Sequence, residues 1–250
     1  MFLLRGIAVS LALFSVFYGC LSALAVSGWH LLARLRNLQP QIFASLLLAT
    51  RIFPLTIAAA ITLLFVVPSF VLLEPRGVQE EVGWAPTILS ACGLALLATG
   101  LILVIRAQVK TKRIVSSWLS NAHELDIGAP APVFGVRRLI PPLTLAGVFR
   151  PRLLLAESSL FLLSPNELRL AIQHEVAHLR FRDNLKKLVL QFAWFPGMTN
   201  LERAWQQAAE LAADDAAVSG GPKKRWIWQR LSLRYPGRFP GKCFPRSACN

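Results

Sequence analysis

Three apolar blocks occupy the first half of the chain: residues 6–29, 52–73 and 84–105 contain no charged residue. Each is longer than the ~20 residues a helix needs to cross a ~30 Å hydrocarbon core. With no water to bond, a backbone in lipid must satisfy its own polar groups, which a helix does. The pattern therefore predicts three transmembrane helices. Pro54 and Pro68 fall inside the second block and predict a bend there. Arg5 and Ala23-Leu24-Ala25 also fit a cleaved signal sequence, but the first block is longer than such a segment's apolar region.

From about residue 111 the pattern changes, and ten of the 13 acidic residues lie between Lys112 and Val218. Residues 128–135 read as a linker leading into extended structure. Residues 143–149 and 152–156 follow, separated by Arg150-Pro151, and the second is a short apolar strand candidate. Ser164-Pro165-Asn166-Glu167 has the spacing of a capping box with proline at the first helical position. It opens a helix whose apolar face is Leu168, Ala171, Ile172, Ala177 and Leu179. Thr199 and Glu202 repeat the spacing and open a second helix from Asn200 to about Val218, which Gly220-Gly221-Pro222 ends. The apolar segment 185–197 is too short to span a bilayer, so it is a core helix or an interfacial one. The fold class is a mainly α membrane protein, with three transmembrane helices followed by a small α+β core. Three parts are expected: a membrane domain over 1–110, a second domain over 111–220 and a basic tail over 221–250.

Composition agrees. Hydrophobic residues make up 54% and charged residues 16%, which excludes a disordered chain and a coiled coil. The formal charge of +14 is what basic loops flanking membrane spans produce. Arg34, Arg36 and Arg51 lie between the first two spans; Glu74, Arg76, Glu80 and Glu81 between the next two; Arg106, Lys110, Lys112 and Arg113 follow the third. Basic loops stay cytoplasmic, so the N-terminus is expected outside and the chain after Arg106 inside. Cys20, Cys92, Cys243 and Cys249 have no CxxC spacing, so neither a disulfide framework nor a cysteine zinc site is expected.

The chemistry sits at residues 174–178, His-Glu-Val-Ala-His. His174 and His178 are one turn apart on one helix face and can hold one zinc ion. Glu175, beside the first of them, can take a proton from an attacking water and pass it to a leaving amine. A catalytic zinc needs a third protein ligand. His30 borders the membrane, and His123 lies just past the third span, ahead of the folded domain, so a carboxylate is needed. Glu210 and Asp214 are one turn apart on the second helix. One of them can bind the metal while the other orients a histidine through its second ring nitrogen.

HEVAHLRFRDN (174–184), AAELAADDAAV (208–218) and the upstream stretch 147–173 resemble the BlaR/MecR-type integral-membrane zinc peptidases. The resemblance implies a gluzincin, with Zn2+ on His174, His178 and Glu210, Glu175 as general base, and Asp214 and Asp183 supporting the histidines. It implies a zinc metalloendopeptidase in a bacterial inner membrane with a cytoplasmic core. The partners it implies are the lipid bilayer and a protein substrate, a transcriptional repressor or the chain itself. Its role would be regulatory signal transduction of the antirepressor type. Ala213 stands where relatives often have Cys, and Asp215 where they often have Glu; neither change threatens metal binding. The sensor-transducers' further span and external sensor domain have no counterpart up to Asn250, so beta-lactam sensing is not expected.

The last thirty residues read differently. Lys223–Arg246 carries eight basic residues, no acid and several aromatics, and is expected to be a disordered, lipid-adhering or non-native tail. No DNA-binding motif accompanies it, so direct nucleic-acid binding is not expected. Two other readings of the whole chain stand: an HtpX-like quality-control membrane protease, and a truncated inactive membrane protein that only binds a partner.

Overall fold

The structure is a computed structural model, and it describes residues 2–32, 34, 37–75, 82–137, 143–219 and 221–234. Arg36, Arg76, Glu80, Glu81, the side chain of His30 and the tail beyond Arg234, with Cys243 and Cys249, lie outside the described residues. The chain forms two compact units.

The first unit takes Met1–Leu38, Ser45–Arg106 and Leu188–Trp205. It holds helix α1 (Phe2–Ser27), the short α2 (Trp29–Leu32), most of α3 (Pro40–Ile61), α4 (Val67–Leu73) and the first part of α5 (Trp84–Leu119). Phe2–Ser27, Pro40–Leu73 and Trp84–Leu119 are long and apolar enough to cross a membrane. The helices are longer than the apolar blocks, because a charge ends the lipid-compatible stretch without ending the helix. Pro54 is accommodated within α3. The predicted irregularity falls before Pro68, where Thr62–Val66 is a π-helical turn. Proline lacks an N–H and crowds the preceding carbonyls, which a wider turn relieves.

Arg51, expected in a loop, lies inside α3 and is 2% exposed. Its guanidinium donates to the Ala193 and Leu190 carbonyls at the end of helix α8 (Asp183–Phe192). Those carbonyls have no partner within the helix, and a cation there also suits the helix dipole. The second half of the 185–197 segment thus belongs with the spans. Phe14, Tyr18 and Ala58 form the buried centre, with Leu55, Leu96 and Phe195 against it. The Tyr18 hydroxyl donates to the Trp194 carbonyl (3.0 Å). A side chain at Gly100 would collide with the Phe192 carbonyl, so the small residue allows this approach.

The second unit takes Gln39–Ala44, Ala107–Lys187 and Gln206–Asn250. Its sheet has the order β1-β2-β4-β3, from β1 (His123–Leu125), β2 (Val133–Val136), β3 (Leu143–Ala146) and β4 (Arg152–Ala156). The β2–β4 pair is parallel and the other two are antiparallel. Leu153, Leu154 and Leu155 are fully buried because β4 is covered on both faces. Leu153 and Leu155 pack with Leu170, Ala171 and Leu231, while Leu154 and Ala156 pack with Val136, Trp118 and Leu119. The last three residues of the linker expected over 128–135 belong to β2, and His123 opens the sheet rather than preceding the domain. Gly147 turns the chain from β3 towards β4 with φ +91°, a conformation that favours glycine.

Helix α6 (Glu157–Leu162) leads to α7 (Pro165–Arg180), whose capping box forms as predicted. The Ser164 amide donates to Glu167 Oε2 (2.9 Å), and the Glu167 amide donates to Ser164 Oγ (3.4 Å). Helix α9 (Thr199–Val218) begins at Thr199 itself, one residue before the start that a capping role for Thr199 requires. The expected disordered tail is corrected for 222–234, which form helix α10 (Pro222–Arg234). Trp228 and Leu231 bury that helix against the unit's core, because its apolar residues recur at helical spacing among the basic ones.

Ser164→Ala should lower stability by about 1 kcal/mol through loss of the cap, while Ser164→Thr, which keeps the hydroxyl that also donates to Glu167 Oε2 (2.9 Å), should be tolerated. Chemical or thermal unfolding in detergent checks this, and an unchanged midpoint for Ser164→Ala would count against the cap.

Candidate metal centre

The site is built within the second unit, from α7 and from the parts of α8 and α9 that fall in it. Helix α7 carries His174, Glu175 and His178, α9 carries Glu210 and Asp214, and Asp183 is the first residue of α8. Between α7 and α8 the chain reverses at Arg182, whose φ is +55°. This left-handed residue lets Asp183 turn back towards His178 within five residues.

The two imidazoles converge. His174 Nε2 and His178 Nε2 are 3.2 Å apart, and Glu210 Oε2 lies 3.6 Å from each. An acid stands beside each of the other ring nitrogens: His178 Nδ1 is hydrogen-bonded to Asp183 Oδ2 at 2.7 Å, and His174 Nδ1 lies 3.0 Å from Asp214 Oδ1 without hydrogen-bond alignment. Lys186 Nζ lies 3.4 Å from the other Asp183 oxygen. A carboxylate on Nδ1 favours the tautomer protonated there, so both Nε2 lone pairs face the same point. Two facing lone pairs beside a carboxylate oxygen form a cation site. An ion with ~2.0–2.1 Å bonds and tetrahedral angles would hold two ligand nitrogens about 3.3 Å apart. The residues therefore fit a divalent metal, and among the described residues these three side chains form the group able to hold one.

Glu175 does not join this group. Its Oε2 accepts a hydrogen bond from the Leu145 amide of β3 (2.8 Å). β3 is an edge strand of the sheet, so that amide is not consumed by β4. Asn184 Nδ2 donates to the carbonyls of Leu145 (3.3 Å) and Gly147 (3.0 Å), which ties the same strand to the start of α8.

Burial and charge set the protonation states. For His174, burial works towards a lower pKa, but Asp214 and Glu210 outweigh it and raise the value to about 9. Burial opposes the same rise at His178, where Asp183 and Glu210 prevail. Glu210 is held well below the usual carboxylate range: burial opposes this, and the two histidines overcome it. Burial pushes the Glu175 carboxyl up despite both histidines. It also raises Asp214, so the His174–Asp214 pair holds its proton tightly.

The sequence-predicted residues are thus brought together, with Glu210 nearest both Nε2 atoms, Asp214 behind His174 and Asp183 behind His178. His123 instead pairs with Glu157 (3.6 Å). Ala213 is fully buried and Asp215 is not in the group able to hold a metal. Three participants were missed. Asn184 stands within the HEVAHLRFRDN string, so its position could have flagged it. The Leu145 amide is a backbone group with no sequence signal. Trp228, stacked on His174, sits in a segment read as tail.

Residues 89–231 match the family model described as BlaR1 peptidase M56. A comparison with curated proteins finds no match.

Metal binding needs neutral imidazoles, whereas metal-free His174 is protonated below about pH 9. Zinc uptake near pH 7.5 should therefore release protons, and affinity should climb from pH 6 towards pH 9. The raised pKa stabilises the metal-free fold fully below the ordinary histidine value, and that contribution is lost as pH rises through about 9. Calorimetric titrations in buffers of different ionisation enthalpy check the release; a buffer-independent heat would contradict these protonation states.

Proposed function

The chain belongs to the BlaR1 peptidase M56 family, and from that membership we propose that it is a zinc-dependent endopeptidase cleaving protein substrates in a regulatory signalling step. The family and the three apolar helices make it a membrane-associated metallopeptidase. The observation that carries the zinc reading is the convergence of His174 Nε2, His178 Nε2 and Glu210 Oε2, with an acid at each histidine's far nitrogen. These three residues would hold the ion. Bound zinc supplies a Lewis acid that polarises a carbonyl and lowers the pKa of water to about 7.

The protein's own groups do the rest. The burial that raises the Glu175 carboxyl makes it a stronger base than a solvated glutamate, which suits it to accept and return a proton. Its Oε2 is fixed by the Leu145 amide, which leaves Oε1 to take the proton of the attacking water and deliver it to the leaving amine. Asp214 and Asp183 hold the imidazole tautomers through this cycle.

In our reading the site faces the cytoplasm of a bacterial cell and the N-terminus lies outside the inner membrane. Arg106, Lys110, Lys112 and Arg113 at the end of the third span support that orientation. The substrate is a cytoplasmic protein, a transcriptional repressor or the chain itself, so cleavage would relieve repression.

Glu175→Gln keeps the size of the side chain but cannot act as a base. Cleavage should fall by about 10²–10⁴-fold while zinc stays bound. Glu210→Gln should instead weaken zinc binding itself, since a neutral amide is a poor ligand. Zinc analysis of detergent-purified protein, with proteome-wide comparison of cleavage products, checks the contrast. Wild-type cleavage by Glu175→Gln would overturn the mechanism. For the orientation, a reporter fused after Val218 should be active only if it is one that works in the cytoplasm. Activity of a periplasmic reporter there would reverse the assignment.

A further inference from the structure

We infer that Trp228 is a positioning residue for the metal centre, holding the plane of His174 from outside the HExxH and Glu210 helices; the inference rests on the metal reading above. The indole of Trp228 stacks on the His174 imidazole, with ring centroids 5.1 Å apart and planes 22° from parallel. Trp228 is 1% exposed and His174 3%, so water does not separate them.

An imidazole has two in-plane nitrogens and two faces. At His174, Nε2 points at His178 and Glu210, while Nδ1 lies 3.0 Å from Asp214 Oδ1 without the alignment of a hydrogen bond. The contact with Asp214 places a charge at one edge but leaves the ring able to tilt. A tilt would swing Nε2 away from the point where the three donors meet. A flat aromatic surface against one face removes that freedom and takes no donor from the ring. His178 is held differently, by the shorter 2.7 Å contact to Asp183 and by the edge-to-face approach of the His174 ring.

Helix α10 is anchored to supply this surface. Leu231, nearly one turn beyond Trp228, is fully buried in the cluster that contains Leu170 and Ala171 of α7. On the other side, Lys224 Nζ donates to Oε1 of Gln173, the residue preceding His174 (3.5 Å). The same helix also carries an exposed tryptophan, Trp226, which packs against Arg230. Of the two, only Trp228 faces the histidine.

The test uses the full chain in detergent, with zinc affinity measured by chelator competition and the visible spectrum of the cobalt(II)-loaded protein. Trp228→Leu keeps an apolar side chain but offers no plane. It should weaken zinc binding by about 10–100-fold, as outer partners of metal ligands typically do, and disturb the cobalt spectrum. Trp228→Phe restores a plane and should recover most of the affinity and the spectrum. Leu231→Ala removes apolar volume from α10 without touching His174, and should lower the melting temperature more than the zinc affinity. Where Trp228→Leu does not fold, Trp228→Met takes its place. Equal zinc affinity in Trp228→Leu and wild type overturns the proposal. So does a Leu231→Ala defect in zinc affinity as large as that of Trp228→Leu, which would assign the effect to docking of α10. A wild-type chain that binds neither ion overturns the metal reading along with the proposal, whereas zinc-binding wild type with a silent Trp228 series sinks the proposal alone.

Discussion

The site depends on what occupies the outer nitrogens of two histidines. Asp183 is hydrogen-bonded to Nδ1 of His178 and Asp214 lies 3.0 Å from Nδ1 of His174, and both Nε2 atoms face inward at a separation of 3.2 Å. Without those acids, each buried imidazole would be free to choose either tautomer, and burial would favour its neutral form in any orientation. With them, the pair is electron-rich at one point and demands a cation there, a proton or a metal. Glu210 meets the same demand with a charge held ionised by the histidines it faces. Competition between protons and metal is therefore built into the donor set.

The supporting fold follows from placing these acids. Asp183 reaches His178 only because the chain reverses at Arg182 in a left-handed conformation, and Asp214 reaches His174 only because α9 lies against α7. The sheet contributes through its edge. β4 is buried on both faces and gives the unit a rigid middle, while β3 offers the Leu145 amide to Glu175. Asn184 then fixes β3 to the start of α8, so one short segment supports both His178 of the candidate metal site and the strand that holds Glu175. In the membrane unit the comparable constraint is Arg51. A buried guanidinium within an apolar helix is tolerated because the carbonyls at the end of α8 accept its protons.

Much of this was legible in the sequence where the signal is local. Uncharged blocks longer than a bilayer's thickness give the spans. The Ser164–Glu167 box starts α7 where its spacing says, and His174 and His178 share a face by helical geometry alone. Local signals also misled. Arg51 read as a loop charge because hydropathy cannot see the carbonyls that bury it. Residues 222–234 read as tail because basic residues mask the buried pair Trp228 and Leu231.

The sequence by itself determined the membrane helices, the HExxH helix and the two acids on α9 as candidates, because each rests on spacing within a single segment. Whether Glu210 or Asp214 faces the metal is a matter of how α9 sits against α7, which no spacing within α9 encodes. The resemblance of 208–218 to a known family pointed to Glu210 as the ligand, and the tertiary structure supplied the geometry: Glu210 approaches both Nε2 atoms while Asp214 backs His174. The tertiary structure alone joined Glu175 to an edge strand thirty residues away and laid an indole from α10 on His174. These are contacts between segments distant along the chain, and only packing brings them together.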